Sequence, residues 1–255
     1  MEAEQRVRAF FTQHAQAYAV STSHRQGADL EMLLQLLEPA GGQRALDVAT
    51  ATGHTAFRIA REVAEVVGLD FTPAMREPFE RLAREQGIRN ARFVVGDAQR
   101  LPFAGGTFDI VTSRRAPHHF PRVEGAMAEA ARVLKAGGRL GIADMAPPED
   151  PGALALHEAL EKARDGSHVR AYTATEWRRL VEQAGLRLVR LDVEEEHIPW
   201  ARWLYPVAPD GQEAARAEAI LAGASPEAAA KVVEEHPDGR RFVKRRVVLV
   251  AEKGR

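Results

Sequence analysis

Short apolar runs alternate with amphipathic stretches along most of this chain. The apolar runs have the length of strands, and the stretches between them repeat apolar positions at helical spacing. Strands separated by helices are typical of a parallel sheet with crossover helices, so the pattern predicts an α/β fold. The predicted strands are Arg44–Val48, Ala64–Asp70, Ala91–Val95, Thr107–Thr112, Arg139–Met145, Leu186–Val193 and Arg241–Ala251.

Several of the intervening helices carry explicit boundary signals. Thr72-Pro73 supplies a cap and a first-turn proline before a helix predicted over Met75–Gln86. The segment Thr173–Glu176 reads as a capping box that opens another helix. Gly137-Gly138 is predicted to stop the helix that ends in Arg132-Val133-Leu134.

Two segments stand outside this alternation. Residues 1–40 look helical before the first strand, and residues 197–238 form an insertion between the last two strands, with helices predicted at Gln212–Leu221 and Glu227–Glu235. We therefore expect an N-terminal helical cover, followed by a main domain over residues 41–255. Both extra segments are candidates for a lid over the ligand edge of the sheet.

Composition narrows the function classes. The chain has 255 residues, of which 45% are hydrophobic and 28% charged, and its net charge is -1, so we expect no nucleic-acid partner. The absence of cysteine excludes disulfides, thiolate zinc sites and cysteine nucleophiles. A charged start with only a short apolar stretch predicts neither a signal peptide nor a membrane span, and hence a cytoplasmic protein.

Candidate chemistry lies just after each of the first four strands, where ligands bind in open α/β sheets. The first strand leads into a loop with small residues at positions 49, 51 and 53, which would let a ligand approach backbone N–H groups at a helix start. The second ends in Asp70, whose carboxylate could accept both hydroxyls of a ribose. The third is followed by Gly96-Asp97-Ala98 and the fourth by Ser113-Arg114-Arg115-Ala116-Pro117-His118-His119-Phe120.

Five motifs in order carry a family resemblance: Leu46-Asp47-Val48-Ala49; Gly68-Leu69-Asp70; Gly96-Asp97-Ala98 with Leu101-Pro102-Phe103; Phe108-Asp109-Ile110-Val111; and Arg132-Val133-Leu134-Lys135-Ala136-Gly137-Gly138. Together they resemble the class I S-adenosylmethionine-dependent methyltransferases, in particular the branch that includes the ubiquinone and menaquinone biosynthesis enzymes. The resemblance is strong over residues 40–145. It implies a Rossmann-like seven-stranded sheet of order 3-2-1-4-5-7-6, with the last strand antiparallel and helices on both faces.

The resemblance also implies S-adenosylmethionine as cofactor and assigns roles to the loop after the first strand. Asp47 would bind the methionyl ammonium directly or through water, with Ala49, Thr50 and Gly53 in the turn beneath it. The family usually has glycine where this chain has Ala49 and Ala51. Because alanine resists positive φ, we expect a slightly different loop that still binds.

The remaining cofactor contacts implied by the resemblance come from the next three strand ends. Asp70 would hold the ribose and Phe71 would pack on the adenine. Asp97 would accept from the adenine amino group beside the Ala98 N–H, and Ser113 or Arg114 would supply backbone contacts.

His119 and, second to it, His118 are the candidate catalytic residues. A histidine followed by a bulky apolar residue at this point resembles a frequent family feature beside the transferred methyl, and a neutral imidazole could remove a substrate proton. Packing or a helix start explains the pair equally well. Adjacent side chains diverge and no ligand cluster has recognisable spacing, so no metal site is predicted.

Three further segments admit two interpretations each. Arg114-Arg115 could steady an anionic substrate or lie solvated on a loop, the simpler reading in a chain rich in arginine. Asp165–Tyr172 could shape the substrate pocket or support a loop. Phe11, His14 and Tyr18 recur at helical spacing, which favours a packing face.

The hypothesis that follows is methyl transfer from S-adenosylmethionine to an O, C or N atom of a small molecule, with quinone-like acceptors as one candidate. The rival from another class is an NAD(P)-dependent oxidoreductase, since a small-residue loop and an acidic strand end also describe a dinucleotide site. The absence of Gly-x-Gly-x-x-Gly and the presence of Asp47 and Asp97 count against it. A third candidate is a protein that binds the cofactor without turnover.

Overall fold

A twisted central sheet organises the chain in this computed structural model, which describes residues 7–13, 27–205 and 211–255. The described residues form eight strands in the order β3-β2-β1-β4-β5-β8-β6, with the two-residue β7 paired to β8. The strands are β1 (Arg44–Val48), β2 (Glu65–Asp70), β3 (Ala91–Val95), β4 (Phe108–Arg114), β5 (Leu134–Met145), β6 (Leu186–Pro199), β7 (Val233–Glu234) and β8 (Arg241–Lys253).

Strand direction confirms the predicted topology. β1 to β5 pair in parallel, while β8 runs antiparallel to both β5 and β6. The predicted order 3-2-1-4-5-7-6 becomes 3-2-1-4-5-8-6 only because β7 takes a number of its own. The first four strands therefore end at one edge of the sheet, where β8 begins.

Helices cover both faces of the sheet. On one face, a core cluster forms under the helices Ala28–Leu37, His54–Ala60 and Arg76–Glu85. On the opposite face, a second core cluster forms around the helices that contain Met127 and Trp177. A third cluster lies over the long β6–β8 ladder and is built from the remaining helices. The helices are Ala28–Leu37, His54–Ala60, Arg76–Glu85, Val123–Val133, Pro151–Arg164, Ala174–Gln183, Trp200–Leu204, Gln212–Ala222 and Pro226–Val232, and residues 7–13 are also helical.

Two predicted boundaries are wrong for the same physical reason. The helix over Val123–Val133 ends before the glycine pair, because Leu134 pairs with Phe108 and opens β5. The last helix of the insertion ends at Val232 rather than Glu235, because Val233–Glu234 pairs with β8 as β7. In both places, sheet pairing of a buried apolar residue replaces the last helical turn.

The capping box of the helix over Ala174–Gln183 is present. The Thr173 hydroxyl accepts from the Glu176 N–H, and the Glu176 carboxylate accepts from the Thr173 N–H at 2.9 Å. The start of the insertion differs from the prediction, since His197–Pro199 continue β6 as strand. Within the described residues, no helix is long and apolar enough to cross a bilayer.

Candidate active site

A cleft opens at the carboxyl edge of the sheet, across the ends of β1 to β4. It is partly open to solvent and is lined by residues from all four strand ends. Most of the predicted site residues line it: Asp47, Ala49, Thr50, Asp70, Phe71, Asp97, Ala98, Arg114 and His119. Gly53, Ser113 and His118 lie behind its wall.

Asp47 is a buried carboxylate at the floor of the cleft. Its Oδ2 accepts from the Thr50 hydroxyl at 2.6 Å, and its Oδ1 accepts from the Thr112 hydroxyl at 2.8 Å. Burial raises the pKa of Asp47 to about 6, although both hydroxyls oppose the shift. A cationic ligand group is therefore the natural partner, because it would stabilise the charge that burial disfavours.

The loop after β1 keeps a left-handed backbone without glycine at two positions. Ala49 has φ of 56° and Ala51 has φ of 46°. Both alanines therefore adopt the positive φ that alanine resists, at a cost of about 1–2 kcal/mol per residue. The Thr50 N–H bonds the Leu69 carbonyl at 3.0 Å, which ties the strained loop to β2.

Gly53 completes this turn from behind the cleft. Its φ is 94°, and a Cβ built there would lie 2.5 Å from Phe57 Cζ and 2.6 Å from Phe79 Cδ2. The two rings pack with centroids 4.7 Å apart. Glycine is therefore required on both steric and conformational grounds, and its role is to shape the turn.

Asp70 closes the loop from the end of β2. Its Oδ2 accepts from the Ala51 N–H and its Oδ1 from the Thr72 N–H, both at 2.8 Å. Burial raises the pKa of this carboxyl, with the backbone donors opposing the shift. The Thr72 hydroxyl also donates to this carboxylate, which still offers a lone pair to a hydroxyl donor from a ligand.

Asp97 stands on the opposite side of the cleft, in a turn after β3. Its Oδ1 accepts from the Gln99 N–H at 2.8 Å, which holds the carboxylate in place. Ala98 beside it is buried. The side chain is only partly buried and is positioned to receive a polar ligand group.

Arg114 and Arg115 are not solvated. Each guanidinium donates two hydrogen bonds to the Asp29 carboxylate, at 2.8 to 3.0 Å. The Asp29 side chain is 1% exposed. The arginines outweigh burial and hold the pKa of Asp29 well below its usual range. Asp29 was missed in the sequence, since it begins a helix far from the arginines along the chain. Ser113 instead donates its hydroxyl to the Val48 carbonyl at 3.0 Å, linking β4 to β1.

His118 points away from the cleft and forms a buried ion pair. Its Nδ1 lies 2.6 Å from Asp144 Oδ1, and its backbone N–H donates to Asp144 Oδ2 at 2.8 Å. Burial opposes the charge, but the carboxylate outweighs it and raises the pKa of His118. This pair fixes the short turn that presents the next residue, so the geometry assigns His118 a positioning role.

His119 lines the cleft itself. Its Nδ1 donates to the Ser167 carbonyl at 3.0 Å, which leaves Nε2 as the acceptor nitrogen. Burial, with the charge of His118 adding to it, lowers the pKa of His119 to about 3. The ring is neutral at physiological pH. Ser167 in turn donates to Asp165 at 2.5 Å, so the segment Asp165–Tyr172 supports the histidine.

The N-terminal helical residues 7–13 lie over the cleft. Val7 and Phe11 line it, the Phe11 ring meets His119 edge-on with centroids 5.0 Å apart, and the Arg8 guanidinium lies 5.4 Å from the Phe71 ring centre. Phe11 is therefore a packing residue as predicted. His14 and Tyr18 fall outside the described residues. In the described parts of the chain, no cluster of side chains could hold a metal ion.

Comparison with known proteins decides the family. A methyltransferase domain family matches residues 46–142, which span β1 to β5 and all the acidic strand ends. The methyltransferase YcgJ of Bacillus subtilis, described as uncharacterized, is 36% identical over 189 residues, 74% of each chain. This chain belongs to the class I S-adenosylmethionine-dependent methyltransferases.

The solved structures extend this methyltransferase likeness beyond the matched domain. The crystal structure of YcgJ superposes with a TM-score of 0.81 at 31% identity, covering 89% of this chain and 98% of that one. A ubiquinone/menaquinone biosynthesis C-methyltransferase from Dinoroseobacter shibae is 34% identical over 168 residues, 62% of this chain and 64% of its own. The methyltransferase fold therefore extends well beyond residues 46–142.

Proposed function

We propose that this methyltransferase binds S-adenosylmethionine in the cleft and transfers its methyl group to a small-molecule acceptor. The observation that carries the proposal is the convergence of Asp47, Asp70 and Asp97, from three successive strand ends, on one cleft beneath a strained small-residue loop. The donor set fits the cofactor: a buried carboxylate for a cation, an anchored carboxylate for a diol, and a carboxylate with a buried neighbour for an adenine amine.

Each carboxylate has its own task in this proposal. Asp47 binds the methionyl ammonium, whose charge restores the ionised state that burial opposes. Asp70 accepts the ribose hydroxyls while its backbone donors keep it in place. Asp97 and the Ala98 N–H bind the adenine edge, and Phe71 packs on the ring. When bound, the cofactor supplies a methyl group already activated by its sulfonium.

His119 acts on the acceptor as a neutral hydrogen-bond acceptor. A pKa of about 3 makes it a weak base, so its contribution is to align the acceptor's hydroxyl or amine for in-line transfer. The helical residues 7–13 exclude water around the reacting atoms. The described residues of the insertion pack over the β6–β8 ladder and contribute nothing to the cleft lining, so the insertion has no lid role in this proposal. We retain the division into an N-terminal cover over 1–40 and a main domain over 41–255 as part of this proposal.

Calorimetry tests the cofactor assignment. S-adenosylhomocysteine should bind and NAD should not, because NAD's pyrophosphate would face the buried Asp47 carboxylate. Asp70→Ala should lose about 10- to 150-fold in affinity, since a charge-assisted hydrogen bond contributes about 1.5–3 kcal/mol. Glu65→Gln, at the opposite end of the same strand, is the matched control and should bind as the wild type does. Binding of NAD in place of S-adenosylhomocysteine would instead support the oxidoreductase, whose dinucleotide site would use the same acidic strand end.

A further inference from the structure

A group of basic side chains lies beside the cleft, around the end of β5. Arg114 ends the neighbouring strand β4 on one side and Arg115 follows it. Lys244 and Arg246 lie near the start of β8 on the other side. Arg246 pairs with Met145, the last residue of β5, so Lys244 extends beyond the end of that strand. Because β8 runs antiparallel, its first residues share the sheet edge at which the cleft opens.

Side-chain alternation puts Arg114, Lys244 and Arg246 on one face of the sheet, and Arg115 reaches the same face through Asp29. Arg114 pairs with Ala143, which pairs with Val248, and Val248 and Ala143 lie in the core under the helix Ala28–Leu37. Lys244 and Arg246 precede Val248 in steps of two and so point to the same face. They lie between that core and the cluster around Phe242, beneath the helix Pro151–Arg164.

Lys244 is the cation in this group without a counter-ion. It makes no hydrogen bond or ion pair with any residue that the structure describes, and it is only partly exposed. Burial, followed by the charges of Arg246 and Arg115, lowers the pKa of Lys244 to about 7. The carboxylates around it have partners of their own: Glu161 pairs with Arg164 at 2.5 Å, and Glu196, across the ladder from Lys244, lies 3.6 Å from Arg246.

The positive charges of this group lie close together, and the nearby carboxylates do not fully neutralise them. Arg246 has its pKa lowered to about 10 by burial and then by the charge of Arg115, despite the nearby carboxylates of Asp29 and Glu196. Arg115 lines the cleft and its charge acts on both Lys244 and Arg246, so the group adjoins the space where the acceptor must reach the methyl. An unpaired, partly buried ammonium group destabilises a protein. Binding of an anionic ligand would offset this cost and so explain the presence of the lysine.

We propose that Arg115, Lys244 and Arg246 form the acceptor's anion-binding subsite, so that the methyl acceptor of this enzyme carries a carboxylate or phosphate group. This inference rests on the proposed methyl transfer and adds the substrate class. The guanidinium of Arg115 is preorganised by Asp29 to meet planar oxygens, and Lys244 adds a point charge. The same group disfavours an acceptor that presents only an uncharged apolar ring.

The chain offers a direct spectroscopic test because it has only five lysines, at positions 135, 162, 231, 244 and 253. In lysine-labelled protein saturated with S-adenosylhomocysteine, the Lys244 signal is the one that titrates near neutral pH, and Lys244→Met identifies it by removing it. Inorganic phosphate and benzoate are the two anionic probes, and benzamide is the uncharged match of benzoate. Binding of an anion should raise the pKa of Lys244 by about one unit or more, a tenfold gain in proton affinity.

The possible results of this titration distinguish the nature of the anion, the subsite itself and the proposed function. Response to phosphate alone or to benzoate alone would assign the acceptor's anion as phosphoryl or carboxylate. The affinity for that probe should fall at least tenfold in Lys244→Met and recover in Lys244→Arg, while Lys231→Met, a surface lysine paired with Asp150, should change nothing. No response to either anion, or an equal response to benzamide, would overturn the subsite. Failure of S-adenosylhomocysteine to bind would contradict the proposed function instead, and the same titration of the ligand-free protein would still decide the subsite.

Discussion

Substitution of Gly53 by alanine isolates the packing that shapes the turn beneath Asp47. The new Cβ would lie 2.5 Å from Phe57 Cζ and 2.6 Å from Phe79 Cδ2, inside a stack of rings that also includes Phe93. Overpacking of this kind costs about 1–3 kcal/mol, and left-handed alanine costs about 1–2 kcal/mol more. The smaller entropy of the unfolded alanine chain returns about 0.4–1 kcal/mol.

Gly42→Ala is the matched control for this substitution. Gly42 has φ of 87°, close to the 94° of Gly53, but a Cβ there has no atom within 4 Å. The control therefore carries the backbone cost alone, and Gly53→Ala should be less stable than it by about 1–3 kcal/mol. Denaturant unfolding of both variants measures the difference. Equal destabilisation would refute the steric account of the turn.

Four further predictions concern charged and polar groups of the site. Affinity for S-adenosylhomocysteine should fall as pH drops below about 6, where Asp47 gains a proton, and calorimetry should show no such dependence in Asp47→Asn. The raised pKa of Asp47 means that its contribution to stability is lost as pH rises through about 6, so Asp47→Asn should melt higher than the wild type at neutral pH. Asp29→Asn should cost about 3–5 kcal/mol in urea unfolding, because two arginines lose their buried counter-charge; a loss under about 1 kcal/mol would contradict this. His119→Gln should keep the cofactor affinity and the shape of the pH–rate profile, whereas loss of an ionisation between about pH 6 and 7 would restore the base role.

Local patterns were enough to predict the strands and a parallel sheet, whereas the strand order followed only from the family resemblance. The bounds of β1 and β3 match residue for residue, because each is a short apolar run between turn signals. The acidic residues at the strand ends could also be placed on one edge of the sheet, because parallel strands end together. β7 was not predicted, because two residues are too few to show the alternation of a strand. Its assignment as a strand depends on its pairing with β8.

Contacts between distant parts of the chain lay beyond sequence reasoning. Nothing in the sequence near Asp29 indicates that Arg114 will bind it. The sequence alone favours solvated arginines on a loop. His118 likewise gives no sign of its partner Asp144, although that partner decides which of the two histidines faces the cleft. The positive φ of Ala51 is imposed by the Asp70 carboxylate that holds its N–H, against the preference of the residue itself.

The most direct test of the central claim is the fate of the methyl group. The enzyme is incubated with methyl-labelled S-adenosylmethionine and the small-molecule fraction of a cell extract, and the products are separated by mass. The account predicts label in a low-molecular-weight acceptor together with S-adenosylhomocysteine, with both reduced in Asp70→Ala at limiting S-adenosylmethionine and retained in Glu65→Gln. Label that stays on S-adenosylmethionine, or that moves to protein or nucleic acid when the whole extract is supplied, would contradict methyl transfer to a small molecule.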